Sequence, residues 1–172
     1  MPTPCSLTQG HTPKVCKTSG GTKSFLIAEF DGVTSITKTA GVITTITKAV
    51  GKKFFRYKQK AEVAMWKQTG TGDAKVGTVA YDVEANIEML GLDQVSQTEL
   101  DLLICNTVVM IAEDNDGTYW YLGEDFGMDL ATDGLESGTA IGDFRGNKLA
   151  FKGRAFTRVA SVSPTIITAL LT

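Results

Sequence analysis

Between Lys53 and Leu90 the chain alternates. Odd positions read Phe55, Tyr57, Ala61, Val63 and Met65, then Val79, Tyr81, Val83, Ala85, Ile87 and Met89; even positions read Arg56, Lys58, Lys60 and Glu62, then Thr78, Asp82, Glu84, Asn86 and Glu88. Successive side chains on a strand point to opposite faces, so this period of two predicts a hairpin with one apolar and one charged face. Gly70-Thr71-Gly72-Asp73 supplies the reversal. With the turn centred on Gly72, Lys60 faces Glu84, Arg56 faces Glu88 and Val63 faces Tyr81. Each arm is about 14 to 17 residues, roughly 50 Å long, against about 5 or 6 residues for an ordinary strand. Such a ribbon outreaches a small domain, and an isolated ribbon is marginal in water, so its apolar face has to meet a partner.

The rest of the chain is also strand-rich. Phe25 to Phe30 is an apolar run ended by Asp31-Gly32, continued by Val33 to Thr37, and Val42 to Lys48 is dense in β-branched residues, part of a total of 23 Thr. Val108 to Ile111 and Tyr119 to Leu122 flank Asp114-Asn115-Asp116-Gly117, a second and shorter hairpin. Ser96-Gln97-Thr98-Glu99 reads as a capping box opening a short helix over about 97–106, with Leu100, Leu102, Leu103 and Ile104 following. Glu124 to Gly142, acidic and Gly-rich, reads as a long surface loop. Lys148 to Phe156 and Arg158 to Ser161 read as closing strands before a C-terminal tail, 163–172. Residues 1–23 hold three of the four Pro, the one His and two of the three Cys without any period, and read as an extended arm. The expected fold is mainly β over 24–162, a β-sandwich or barrel with one short flanking helix and a long protruding hairpin over 53–90.

Enzyme chemistry finds little support. His11 is the single histidine, and Cys5, Cys16 and Cys105 stand at no metal-ligand spacing, which argues against a zinc site and a disulfide framework and fits a reducing compartment. A Cys5–His11–Cys16 metal cluster would supply three irregularly spaced ligands of the four required. Placing Gly117 at the invariant glycine of a calcium loop puts Ala112 and Gly123 where ligands belong, so that segment is a turn. Neither Gly20-Gly21-Thr22-Lys23-Ser24 nor Gly51-Lys52-Lys53 has phosphate-loop spacing. Basic residues from Lys52 to Lys67 interleave with Phe54, Phe55, Tyr57 and Trp66 as on a single-strand nucleic-acid surface, but Phe55 and Tyr57 alternate away from Arg56, Lys58 and Lys60, and cross-strand ion pairs account for the charges. No apolar stretch reaches the length of a membrane span and the first residues do not resemble a secretory leader. The overall charge of −2 hides an asymmetry: 12 Lys and Arg against 4 Asp and Glu in residues 1–80, and 5 against 15 in residues 81–172. This suits either two solvated faces that neutralise each other or a subunit that stacks head to tail on its copies.

The order of elements, from the strand-rich start through the hairpin Lys53 to Leu90, the helix near Ser96, the hairpin at Asp116-Gly117 and the loop Glu124 to Gly142, resembles the tail tube proteins of long-tailed bacteriophages and related injection machines. Tyr119 to Gly123, Gly138 to Asp143 and Leu149 to Gly153 are similar to stretches of small virion tail proteins. The resemblance implies a ring of six copies whose hairpins join into an inner barrel, with rings stacked into a conduit for DNA that passes without sequence recognition. It implies a structural virion protein and homo-oligomer, assembled in the host cytoplasm, that contacts other virion tail proteins, inserts in no membrane, uses no cofactor or metal and is not an enzyme. In such a ring the even face, Arg56, Lys58, Lys60, Glu62, Asp82, Glu84, Asn86 and Glu88, is expected to line the lumen. The odd face, Phe55, Tyr57, Val63, Met65, Val79, Tyr81, Val83 and Ile87, is expected to pack on the sandwich and on neighbouring hairpins, because unpaired charge is costly to bury. Two other roles fit the residues: another ring-forming virion part such as a neck or tail-completion protein, and a monomeric carbohydrate-binding β module using Tyr119 to Tyr121.

Overall fold

A computed structural model describes residues 10–13, 19–73, 75 and 78–172. The described elements are β1 (Thr22–Glu29), β2 (Val33–Thr39), β3 (Val42–Lys48), β4 (Phe55–Lys58), β5 (Met65–Asp73), β6 (Thr78–Leu90), α1 (Gln94–Cys105), β7 (Val108–Asp114), β8 (Tyr119–Leu122), β9 (Asp129–Glu136), β10 (Gly146–Ala155), β11 (Ala160–Val162) and α2 (Ile167–Leu171). Among the described residues the strands form two open sheets, one ordered β2-β3-β11-β8-β7-β1-β4 and one ordered β5-β6-β10-β9. The protein is therefore mainly β with two short helices, and the barrel alternative falls because neither sheet closes on itself.

The apolar runs of β1 and β7 explain the layering. A strand apolar at every position needs cover on both faces. Phe25, Ile27, Val108, Met110 and Ala112 face a core shared with Val83, Ala85 and Ile87 of β6, Leu149 and Phe151 of β10, and Leu100 and Leu103 of α1. Leu26, Ala28, Val109 and Ile111 face a second core with Ile43, Phe54, Tyr121, Ile167 and Leu170. The tail closes that second core: the Phe54 amide donates to the Leu170 carbonyl at 3.0 Å, and Lys48 Nζ donates to the Ala169 carbonyl at 2.9 Å.

The long first arm of the hairpin does not form. Phe55 to Lys58 pairs instead with β1, Tyr57 opposite Phe25, in the larger sheet. The chain then turns through 59–64, with Glu62 at φ 64°, and enters the smaller sheet at Met65. There β5 pairs with β6 as Met65↔Asn86, Lys67↔Glu84 and Gln68↔Val83, up to Asp73↔Thr78, so the reversal lies beyond Asp73. The pairs Lys60–Glu84, Arg56–Glu88 and Val63–Tyr81 are consequently absent. Passage through the turn also inverts the parity: even-numbered Trp66 of β5 sits opposite buried Ala85, while Met65 shares the outer face with Asn86. Gly70 belongs to the strand because Tyr81 lies across it; a Cβ there would come within 2.9 Å of the Tyr81 ring. On β6 the expected alternation stands, with Val83, Ala85 and Ile87 buried. β10 accompanies β6 only to Ala155↔Tyr81, so Thr71↔Ala80, Gly72↔Val79 and Asp73↔Thr78 continue past the sheet without a third strand.

Other boundaries shift for local reasons. The helix starts earlier than the capping box suggests: Asp93 is its cap, accepting the Ser96 amide at 2.6 Å. Glu99 reaches across to accept the Tyr57 hydroxyl at 2.9 Å. The segment 124–142 is not all loop, since β9 lies within it and pairs with β10. The turn at 114–117 forms as expected, with Gly117 at φ 83° and the Asp114 amide donating to the Thr118 carbonyl at 2.9 Å. Of the arm, Thr22 and Lys23 belong to β1, residues 10–13 are exposed, and 1–9 and 14–18 lie outside the described residues.

Candidate functional site: the charged face of the smaller sheet

The smaller sheet buries one side against the larger sheet and presents the other to solvent. Alternation dictates this: Leu149 and Phe151 of β10 turn inward with Val83, Ala85 and Ile87 of β6, which turns Lys148, Lys152 and Arg154 outward with Asp82, Glu84 and Glu88. Register then assembles charges into rows across the strands. One row runs Lys67, Glu84, Lys152, Asp129 from β5 to β9, alternating in sign at every step. Within it Lys67 Nζ lies 2.9 Å from Glu84. In the next row Arg154 Nε donates to Asp82 at 3.2 Å, and near the other end Lys148 donates to Glu136 at 2.9 Å. Where β5 has not yet begun, Gln59 Oε1 accepts the Glu88 amide at 3.0 Å.

Four cations and five carboxylates share the face, Lys67, Lys148, Lys152 and Arg154 against Asp82, Glu84, Glu88, Asp129 and Glu136. Exposed pairs of this kind contribute about 0.2 to 1 kcal/mol each. Their collective effect is to cancel the long-range field, since opposite charges a few ångströms apart look neutral beyond a Debye length of about 8 Å. An open groove of about 790 Å³ lies over Lys67, Asp82, Glu84, Lys152 and Arg154, with Phe126 at one side. Such a surface neither grips nor strongly repels a polyanion.

The sheet's two edges are free in the described residues: β5 and β9 each have one hydrogen-bonded neighbour. Unpaired edges are templates for further pairing. All adjacent strands of this sheet are antiparallel and there are four of them, so β9 runs opposite to β5. A second copy related by rotation therefore offers its β5 to β9 in the antiparallel sense. The charge row ends in Asp129 at one edge and Lys67 at the other, and the row above ends in Thr132 and Met65, so continuation preserves both patterns.

Of the eight side chains expected on one charged face, the structure brings together Asp82, Glu84, Asn86 and Glu88. Arg56 and Lys58 lie on β4 in the other sheet, where Arg56 approaches Glu113 at 4.0 Å, and Lys60 and Glu62 lie in or beside the connecting turn. The apolar set divides similarly. Tyr81, Val83 and Ile87 face the first core; Tyr57 packs against it from β4; Phe55 is half exposed at the edge; Val63 lies in the turn; Met65 is on the charged face; and Val79 is on the projecting ribbon. Lys148, Lys152 and Arg154, missed as site residues, were marked by their alternation with Leu149 and Phe151. Asp129 and Glu136 carried no such mark.

A separate polar cluster lies within the larger sheet, on β1, β4, β7 and β8. Glu113, 6% exposed, accepts from Ser24 Oγ, from Tyr119 at 3.2 Å and from Lys23 at 3.4 Å. Burial pushes its carboxyl up, but the Ser24 and Lys23 hydrogen bonds with the Lys23 and Arg56 charges outweigh that and hold it below the ordinary value. At Asp114 the balance is reversed: burial raises the carboxyl despite hydrogen bonds from Trp66 and Trp120. Of the stretch Tyr119 to Tyr121, Tyr121 is buried, Tyr119 and Trp120 are partly exposed, and the Trp120 ring lies 5.6 Å from Trp66, tilted at 42° to it. Of the Cys5–His11–Cys16 set, only exposed His11 falls among the described residues. Among those residues no helix is long and apolar enough to cross a membrane.

No family model, curated protein or solved structure matches this chain.

Proposed function

We infer that the chain is a self-assembling structural subunit of the phage tail tube kind. Copies join edge to edge through the smaller sheet, β9 of one to β5 of the next, into a six-membered ring; the charged face lines the bore, and stacked rings form a conduit for DNA. The observation that carries this reading is the four-stranded antiparallel sheet itself, open at both edges, with its outward face charged and its edge residues complementary in sign. The near-balance of charge on that face suits passage of a duplex that has to slide without being held. No chemical step is required of any residue.

Edge pairing places Met65 of one copy beside Thr132 of the next, because the two end the same row. With Cys5, Cys16 and Cys105 replaced by Ser, a chain carrying Met65→Cys and one carrying Thr132→Cys are expected to cross-link when mixed, and negative-stain images of the parent protein are expected to show tubes. A strict monomer over a wide concentration range overturns the reading. Single rings that never elongate would assign the chain instead to a neck or tail-completion ring.

A further inference from the structure

Two phenylalanine rings stand in water beside the charged face. Phe126 is 54% exposed and Phe156 67%, and the rings meet edge to face with centroids 5.0 Å apart. The Asp125 carboxylate accepts the Phe156 amide at 2.7 Å, tying the loop after β8 to the end of β10. Beneath the pair the two backbones touch: a Cβ on Gly153 would come within 2.5 Å of the Gly127 carbonyl oxygen, and one on Gly127, at φ 73°, within 2.4 Å of the Thr107 methyl group. Exposed apolar area concentrated in one place marks a ligand groove or an interface. Because this area is fixed before any contact is made, ordering it adds little to the cost of binding.

Phe126 is also one wall of the groove of about 790 Å³ over the charged face. The ionisable side chains of that groove are Lys67, Lys152 and Arg154 against Asp82, Glu84 and Asp129, three of each sign, and Thr69 adds a hydroxyl. This composition selects among ligands. A polyanion gains little, because its attraction depends on an excess of cations. A cation meets the mirror-image obstacle, and an apolar molecule would strip water from charged groups without replacing it. A neutral molecule dense in hydroxyls meets none of these costs, since each hydroxyl both donates and accepts and can bond to either member of an ion pair without separating the pair. Arg154 gives its Nε–H to Asp82, and a guanidinium and a carboxylate joined by one such bond keep further donors and lone pairs for a ligand. The negative face of a phenyl ring attracts the C–H groups on one side of a sugar ring.

We propose that this groove binds a neutral oligosaccharide, one sugar ring stacked on Phe126 with Phe156 behind it, and its hydroxyls bonded to the Arg154–Asp82 and Lys67–Glu84 pairs. The volume lies within the range of about 300 to 1,000 Å³ usual for small-ligand sites. All of these residues belong to one copy, so the site goes beyond the assembly reading and stands whether or not copies join.

The test is calorimetric titration of the purified full chain with short neutral oligosaccharides of glucose, mannose, galactose and N-acetylglucosamine. At least one is expected to bind with a Kd of about 1 mM or tighter, and raising the salt concentration is expected to leave that Kd unchanged, because no net charge is involved. Phe126→Ala and Asp82→Ala, each at an exposed position and checked for folding by circular dichroism, are expected to weaken binding about tenfold or more. Phe126→Tyr, which keeps the ring, is expected to retain binding, as is Phe55→Ala in the other sheet. Failure of every oligosaccharide to bind overturns the proposal, and so does binding that both alanine variants leave untouched. Tighter binding of heparin or of a single-stranded oligonucleotide, fading as salt rises, overturns it in favour of a polyanion site. Cross-linking through Met65→Cys and Thr132→Cys reports the ring alone, so either reading can fail and leave the other standing.

Discussion

Trp66 donates its indole N–H to the Asp114 carboxylate at 2.9 Å, fastening the smaller sheet to the β7–β8 turn of the larger one. The same ring meets Trp120 at 5.6 Å, so one residue makes a polar and an aromatic contact across the interface between sheets. Trp66→Phe keeps most of the apolar contact and removes the donor. A loss of about 1 to 2 kcal/mol is expected in denaturant unfolding at neutral pH. Asp114 already has its carboxyl raised by burial, so losing a donor to the ionised form raises it further. The deficit should shrink as the pH falls and Asp114 becomes protonated in the variant's folded state.

Glu113 gives the opposite sign. Its folded carboxyl lies below the ordinary value, so the ionised form is favoured by folding. That contribution is complete above the carboxyl's unfolded value and is lost as the pH falls through the folded one. Glu113→Gln is expected to cost about 1 to 3 kcal/mol near neutrality and to flatten acid denaturation, measured as unfolding midpoint against pH. An equal deficit at every pH would mean that packing, not charge, is what Glu113 supplies.

Helix α1 is capped by Asp93, whose carboxylate is held below the ordinary value by the Ser96 amide. Asp93→Ala is expected to lower the thermal midpoint more than Ser96→Ala. The reverse order would restore Ser96 as the cap.

Val83 and Glu84 are neighbours with opposite consequences. Val83 is 2% exposed in the core shared by both sheets, so Val83→Asp is expected to cost about 4 kcal/mol or more and to prevent folding, not merely assembly. Glu84→Gln leaves the core untouched and removes one exposed pair with Lys67, a change of about 0.2 to 1 kcal/mol. Circular dichroism with electron microscopy separates the cases: a folded Val83→Asp protein would show that this face is not internal.

Much of the architecture was legible locally. The apolar runs of β1 and β7, the turn at Asp114 to Gly117 and the alternation of β6 are properties of short stretches, and backbone sterics plus burial act on them wherever they lie in the fold. The same rule applied to Lys53 to Met65 gave a continuous strand, because alternation says which face a residue takes and not which sheet it joins. The edge of β1 claimed Phe55 to Lys58, and the turn through Glu62 moved Trp66 inward to reach Trp120 and Asp114. Those contacts join residues from about thirty to about fifty positions apart, and no period within one segment encodes them. The candidate site divides in the same way. Alternation within one strand is enough to give β6 a charged face backed by an apolar one. Which cations lie beside its carboxylates depends on long-range pairing, since register across β5, β10 and β9 is set by the fit of the inward side chains, and the outward charges follow wherever that fit carries them.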